Sequence, residues 1–366
     1  MPQARHSRGT TGATRSITAD QLEGVLLGTA VGDALGLPAE NLTPKRIRKF
    51  WSGEWRMRFM GAWGMVSDDT EHTLLVAQSV LAQPVNAEAF QRALAWKLRW
   101  WFAALPAGVG FATARACIKL WLGFPARRAA VRSAGSGPAM RCAILGACFS
   151  TDALRRRDFV SASSTLTHRS WQAEVAAHAV SECVALVVHT QGQPEPWEVM
   201  EALRTLSREE EWRDLVSKME TALASRLTVA EFVSELGLER GVTGYSLHVV
   251  PVAIYGWLRH PRDFRGALIA ALECGGDTDT VGAVVGALAG AVAGGGGVPS
   301  EWVNSIHEWP RSVSFIRVLA IRLSQQGNSD KALGSVRSFW PAVVLRNLLF
   351  LGVVLLHGFR RLLPPY

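Results

Sequence analysis

The sequence contains no CxxC pair, and its five cysteines (Cys117, Cys142, Cys148, Cys183 and Cys274) make an odd total. This excludes a disulfide framework and a zinc knuckle, and a reducing cytoplasm is the expected location. The first eighteen residues, "MPQARHSRGTTGATRSIT", lack any apolar stretch, which excludes a secretory signal and leaves a disordered basic leader. Alternating apolar and polar runs are scarce, so few segments qualify as strands. No clustered basic helix carries base-reading residues, and nucleic acid is therefore not an expected partner. The excess of 39 Lys+Arg over 31 Asp+Glu, a net charge of +8, still permits anionic partners.

What is present is helical periodicity. With 366 residues, 48% of them hydrophobic, the chain can bury a sizeable core, and its pattern predicts a compact all-α domain over 19–327, followed by an apolar extension over 328–366. "TADQLEGVLLGTAVGDALG" starts a helix near Ala19, with Thr18 and Gln21 in capping-box spacing. Further helices are predicted around 70–82, 87–104, 110–122, 138–149, 171–190, 197–205, 211–224, 228–235, 245–258, 262–273, 279–294 and 312–325. Pro84, "LPAG" at 105–108, "GSGP" at 135–138, "GQPEP" at 192–196 and Pro261 separate them.

Two of these helices carry glycine every fourth residue: Gly28, Gly32 and Gly36 in the first, and Gly282, Gly286, Gly290 and Gly294 near the end. Each glycine inside a helix costs about 1 kcal/mol relative to alanine. Close backbone approach along a small-residue seam is the expected return. A transmembrane pair is disfavoured, because the second helix falls short of the roughly 20 apolar residues a bilayer span needs.

Carboxylates sit at these seams. Asp33 lies within the first, and "CGGDTDT" places Asp277 and Asp279 at the head of the second. A further acidic knot, "MVSDDTEHT" at 65–73, sets Asp68 and Asp69 side by side ahead of an apolar helix. Either knot alone reads readily as N-capping. Together, Asp68, Asp69, Asp277 and Asp279, with the hydroxyls of Ser67 and Thr280, form a set of hard oxygen donors. That composition suits two Mg²⁺ or Mn²⁺ ions, which can activate a water.

At these residues the sequence resembles the ADP-ribosylglycohydrolase family. "GVLLGTAVGDALGLPAE", "SDDTEHT", "AGSGPAMR", "LTHRSWQAEVAAHA", "GYSLHVVPVAIYGWL" and "ECGGDTDTVGAVVGALAGAVAG" occur in the family's order over about residues 20–310. The resemblance implies an all-α hydrolase that uses a two-metal centre to remove ADP-ribose from a modified protein or small molecule. It implies Ser67, Asp68, Asp69, Asp277, Asp279 and Thr280 as metal ligands. A non-catalytic ADP-ribose binder that keeps the fold is the alternative.

The glycine loop at 134–141 is a turn before a helix, a place where backbone N–H groups can hold phosphate. The resemblance implies that Gly135, Ser136, Gly137 and Met140 face the ADP-ribose and that His168 lines its pocket; Ser136 and Pro138 depart from the family's usual residues. It also places Glu40 over the scissile bond as an acid/base group. Cleavage at C1″ of the ribose passes through an oxocarbenium-like state, for which Asp68 or Asp69 orients the water and Glu40 shuttles a proton. Trp51, Trp55, Arg56, Arg58 and Trp63 read either as an acceptor-facing rim or as core cover.

Residues 333–366 are strongly apolar, but Arg346 and Asn347 interrupt them, and the longest apolar run, Leu348 to Leu356, is about half a span. An appended helix is expected there, covering a core groove, a partner surface or a membrane surface, with Arg360 and Arg361 suited to an anionic interface.

Overall fold

Helix α1 (Ala19–Gly36) opens with the predicted capping box: the Thr18 side chain accepts from Gln21 N, and the Gln21 side chain accepts from Thr18 N. A computed structural model describes residues 17–51, 53–327 and 329–362. The basic leader lies outside these apart from Ile17 and Thr18. A 3-10 turn (Leu37–Ala39) ends α1 and leads through Glu40 into α2 (Pro44–Phe50). Then follow α3 (Asp68–Ala82), α4 (Ala87–Ala103), α5 (Phe111–Trp121), α6 (Ala126–Ala129), α7 (Ala143–Cys148), α8 (Ala153–Thr167) and α9 (Trp171–Thr190). The second half runs through α10 (Pro196–Arg204), α11 (Glu210–Ala224), α12 (Val229–Glu235), α13 (Ser246–Arg259), α14 (Phe264–Leu272), α15 (Thr278–Ala293), α16 (Ser300–Asn304), α17 (Val313–Gln326) and α18 (Trp340–Arg360). Among the described residues there are isolated bridges but no strand.

The two glycine-striped helices, α1 and α15, form the centre of the molecule. A Cβ placed on Gly28 would lie 2.0 Å from Gly286 O, and one on Gly32 would lie 1.9 Å from Gly282 O. The reciprocal positions Gly286 and Gly290 are as tight, at 2.0 Å from Gly28 O and Gly24 O. Gly24, which the sequence reading left out of the stripe, extends it by a turn. No side chain fits between these backbones, so the glycines are required by packing. The apolar flank of α15 is buried beneath α9, α13 and α14, and that of α1 beneath α17, α3 and α7.

Two predicted elements differ. The stretch 138–149 is a 3-10 turn at Ala139–Arg141 followed by the short α7. At Gly146, α7 presses so closely on α9 that a Cβ would meet Ser181 O at 2.1 Å. Helix α8 was not predicted, because its buried face is largely polar: Arg156, Ser163, Ser164 and Thr167 are all buried. The hydroxyls of Ser164 and Thr165 fold back onto the carbonyls of Val160 and Ser161, which hides the helix from an apolar-periodicity reading. Short α2, α6 and α16 also escaped it.

The C-terminal extension forms α18, which lies against the domain through a mixed face of Ala342, Val343, Arg346, Asn347, Phe350 and Val353. Arg346 pairs with Glu308 at 2.5 Å and reaches Val66 O at 2.6 Å, while Asn347 donates to Ala104 O at 2.9 Å. Phe350 and Val353 join Leu37, Phe59 and Met65 in a small apolar cluster separate from the main core. By length and composition α18 is apolar enough to cross a membrane, and about a third of it is buried against the domain.

Candidate active site

Two helix N-termini meet beneath one cleft. Ser67 caps α3, its hydroxyl accepting from Asp69 N at 3.2 Å, so Asp68 and Asp69 occupy the first turn, where negative charge is favoured. Asp277 occupies the N-cap position of α15, with Asp279 in the first turn. The double glycine ahead of Asp277 has a backbone role. Gly275 and Gly276 adopt φ of +69° and +84°, and a Cβ on Gly276 would lie 1.9 Å from Val242 O. Their left-handed turn is stitched to the chain beside Glu40: Asn41 N donates to Gly276 O at 2.7 Å, and Gly276 N donates to Leu42 O at 2.9 Å. Asp277 N is fixed in turn to Val242 O at 2.7 Å.

Asp33, on the seam face of α1, organises the other knot. It is fully buried and accepts from Ser67 N, from Thr70 N at 3.1 Å and from Thr70 Oγ1 at 2.5 Å. The carboxylates of Asp33, Asp69 and Asp279 approach within 4.8 Å of one another. Asp69 Oδ2 accepts from Ser67 Oγ at 2.9 Å and Thr280 Oγ1 at 3.4 Å. Asp69 Oδ1 and Asp279 Oδ1 are buried with no hydrogen-bond partner. Two buried carboxylate oxygens without a donor are costly in their charged form unless a cation meets them.

Titration follows from the same crowding. Burial, then the neighbouring charges of Asp33, Glu71 and Glu40, pushes Asp68 up to about 8. Asp69 and Asp279 are held well above the carboxylate range by burial and then by the surrounding acids. Glu40 is raised by burial and by Asp277, against the lowering influence of Arg361 and of Asn41, whose amide donates to Glu40 Oε1 at 3.1 Å. The donors fit hard divalent cations: they are carboxylate and hydroxyl oxygens, with no thiolate or imidazole among them. Asp33 differs from the rest, since its oxygens are already engaged by the Ser67–Thr70 turn, which it positions.

The cleft above encloses about 290 Å³. Its lining includes Glu40, Asp68, Asp69, Asp277, Asp279 and Thr280 together with Gly135, Ser136, Gly137, Met140 and His168, and the two sets meet where Ser136 Oγ donates to Asp277 Oδ2 at 3.5 Å. Ser67 does not line it; it is buried beneath Asp69. The glycine loop is moulded around His168, since a Cβ on Gly137 would approach His168 Cε1 to 2.8 Å and one on Gly135 would approach Nε2 to 3.3 Å. Ser136 N is spent on Gly244 O at 3.0 Å and Pro138 has no N–H, so the loop offers fewer backbone donors than its glycines suggested. The helix after it is only a 3-10 turn, and its dipole is correspondingly small.

His168 Nδ1 pairs with Thr167 Oγ1 at 2.9 Å, and Thr167 Oγ1 accepts from buried Arg141 at 2.8 Å. Burial, then Arg141, lowers the His168 imidazole to about 3, so it faces the cleft as a neutral ring. The sequence reading missed Phe111 and Thr113, which also line the cleft and had no motif to mark them, and it gave no site role to Gly244, the first residue of the quoted motif "GYSLHVVPVAIYGWL". Of the tryptophan-rich 51–63 segment, Trp51 and Trp55 are core, whereas Trp63 is partly exposed and stacked on His307 at 4.9 Å.

A sequence model of ADP-ribosylglycohydrolase matches residues 14–332. An uncharacterized protein of Archaeoglobus fulgidus is 30% identical over 317 residues, 83% of this chain and 96% of that protein. The ADP-ribosyl-[dinitrogen reductase] glycohydrolase of Rhodospirillum rubrum is 25% identical over 294 residues, 78% of this chain and 90% of the relative. Among solved structures, an ADP-ribosylglycohydrolase-related protein complex matches with a TM-score of 0.63 and 26% identity, covering 84% of this chain and 98% of that one.

Proposed function

The chain belongs to the ADP-ribosylglycohydrolase family, and from that membership we propose that it hydrolyses the glycosidic bond at C1″ of ADP-ribose on an ADP-ribosylated protein side chain or small molecule. The observation that carries this reading is the pair of orphaned oxygens, Asp69 Oδ1 and Asp279 Oδ1, buried under the same cleft that Glu40 and His168 line. Asp68, Asp69, Asp277, Asp279 and Thr280 would hold the divalent cations, Mg²⁺ or Mn²⁺, with Ser67 bracing Asp69 from below. Bound there, such cations supply Lewis acidity and a nucleophilic water at neutral pH.

The chain's own groups do the rest. Asp68 and Asp69 orient the water on the cleft floor. Glu40, raised in pKa by burial and Asp277, is the group placed to exchange a proton with the leaving group and sits on a turn fixed to the Asp277 turn. Neutral His168 and the loop Gly135–Gly137, with Met140, form the part of the cleft lining against which the ribose and diphosphate are placed.

The test is release of ADP-ribose from arginine-, serine- and nucleotide-linked conjugates, with and without chelator, for the wild type and Glu40→Gln. Metal-dependent release that Glu40→Gln slows by roughly 100-fold or more is expected, the usual scale of general acid–base assistance. Full activity in excess chelator sinks the metal reading, and no release from any conjugate sinks the hydrolase.

A further inference from the structure

Helix α18 presents its faces in an unusual order. The side toward the protein carries Arg346, Asn347, His357 and Arg361, each hydrogen-bonded to the domain. The side toward solvent carries Leu345, Leu348, Leu349, Leu355, Leu356 and Phe359, all exposed, Leu356 at 67%. At 100° per residue these fall on one stripe. The inner side also buries Ala342, Val343, Phe350 and Val353, so the helix is apolar on both sides, and the leucine stripe is surplus to its packing on the domain; continuous exposed apolar surface of this kind marks an interaction site.

The stripe does not stand alone. At the start of α18, Trp340 packs edge-on against Trp100, which packs in the same manner against Trp96 and Trp121, and all four rings are exposed by a third or more. Leu122 and Phe124 follow Trp121 at the surface, and Phe111, at the rim of the acidic cleft, is 91% exposed. Tryptophans gathered in this way are characteristic of the boundary between lipid headgroups and acyl chains.

Charge identifies the occupant. From Ala89 to Thr151 the chain has nine Lys and Arg and not one Asp or Glu, and residues 333–366 have four Arg and no acid. Beside Trp96 a cleft of about 410 Å³ is lined by Arg92, Arg99 and Arg127, with Glu88 its single acid, paired to Arg92 at 3.7 Å. An acidic protein partner would satisfy the arginines but not the leucine stripe, and a second copy of this chain would set basic surface against basic surface. A sheet of anionic headgroups over acyl chains satisfies both.

We propose that this face, comprising the outer stripe of α18, the Trp96–Trp100–Trp121–Trp340 cluster and the arginine-lined cleft, docks in the plane of an anionic lipid bilayer. Hydrophobic insertion comes from the leucines and tryptophans, and long-range attraction from the excess of arginine and lysine around them. The leucine stripe lies outside the family match, which ends at residue 332, whereas the tryptophan cluster apart from Trp340 and the arginine-lined cleft lie within it; vesicle binding is read without any assay of hydrolysis.

Full-length protein is sedimented with vesicles of phosphatidylcholine alone or mixed with phosphatidylglycerol, at low and high salt, and the pellets are extracted with alkaline carbonate. Wild type is expected to pellet with the mixed vesicles only, to dissociate at high salt and to be extracted by carbonate. Leu349→Glu and Leu356→Glu, at solvent-facing positions, are expected to weaken binding by about tenfold or more while keeping the wild-type melting curve; Trp96→Ala with Trp121→Ala does so independently of α18. Failure of wild type to pellet, or unimpaired pelleting of the glutamate variants, overturns the proposal. Carbonate-resistant protein overturns it in favour of a spanning helix. A wild-type dimer that ignores vesicles and that the glutamate variants render monomeric overturns it in favour of self-association.

Discussion

Arg361 donates from Nη1 to the backbone carbonyl of Glu40 at 2.9 Å, joining residues 321 positions apart. Arg361 also bonds Pro38 O, and His357 Nε2 meets the same carbonyl at 3.1 Å, so the end of α18 fastens the turn that carries Glu40 over the cleft. Arg361 is a positioning residue with an electrostatic influence, since its charge lowers the pKa of Glu40 against burial. Arg361→Ala is therefore expected to reduce kcat several-fold with little change in melting temperature. The limb of the pH–rate profile that belongs to Glu40 should move to higher pH, because removing a nearby cation disfavours the carboxylate. An unmoved limb with unchanged kcat refutes the coupling.

The acidic floor makes a signed prediction about pH and metal. Asp68, Asp69 and Asp279 all have folded-state pKa values above those of the unfolded chain, Asp68 at about 8. Between about pH 4 and pH 8 the metal-free folded state thus binds more protons than the unfolded one, and stability falls as pH rises through that window. Mg²⁺ or Mn²⁺ should raise the melting temperature, and by more at pH 8 than at pH 5, because the ligands must be deprotonated. Asp69→Asn and Asp279→Asn should stabilise the metal-free protein at pH 8 while blunting the response to metal. Scanning fluorimetry at constant ionic strength reads both effects, and a metal shift of equal size at pH 5 and pH 8 contradicts the assignment.

The seam predicts a sharp contrast between glycines. Gly32→Ala forces a Cβ to within 1.9 Å of Gly282 O, backbone against backbone, and should cost ~4 kcal/mol or more, or prevent folding. Gly352→Ala, in the exposed middle of α18 with nothing within 4 Å of the new Cβ, should stabilise by about 1 kcal/mol through helix propensity alone. Urea denaturation of the two variants distinguishes packing from propensity, and comparable effects of one sign would refute the seam.

The ion pair that holds α18 can be tested by a cycle. Arg346→Met leaves Glu308 buried without its cation and is expected to cost about 3–5 kcal/mol. The double variant with Glu308→Gln should recover much of that, because the orphaned charge is gone. A double variant no more stable than Arg346→Met alone would mean that Arg346 acts through its packing on Phe350, 4.4 Å from guanidinium to ring, and not through the pair.

How much of this was legible in the sequence depended on what kind of signal each residue leaves. The seam was legible because glycine at every fourth position of an apolar helix has no other economical explanation, and α9 was read to the residue from its apolar period. The acids of "SDDT" and "GGDTDT" stood out as charges at the mouths of apolar helices, and they do line one cleft. Asp33 was visible as an acid inside such a helix, but its part in pinning Ser67 and Thr70 was not, since that depends on a contact 34 residues away. Helix α8 was missed because it buries serine and threonine, and Phe111 because an exposed aromatic beside a cleft has no period. The link from Arg361 to Glu40 joins opposite ends of the chain and left no local trace at either.

The seam between α1 and α15 also has a consequence for biosynthesis. Helix α1 is synthesised well before α15, and its glycine face fits a helix that ends at Ala293. At ordinary elongation rates the interval between the two is roughly 10–50 s. During that interval α1 is an apolar helix whose backbone-lined groove has no native occupant, and neither half of the acidic floor can form without it. Productive folding of this chain is therefore mostly post-translational, and the nascent N-terminal half is the form in which the protein most depends on chaperones.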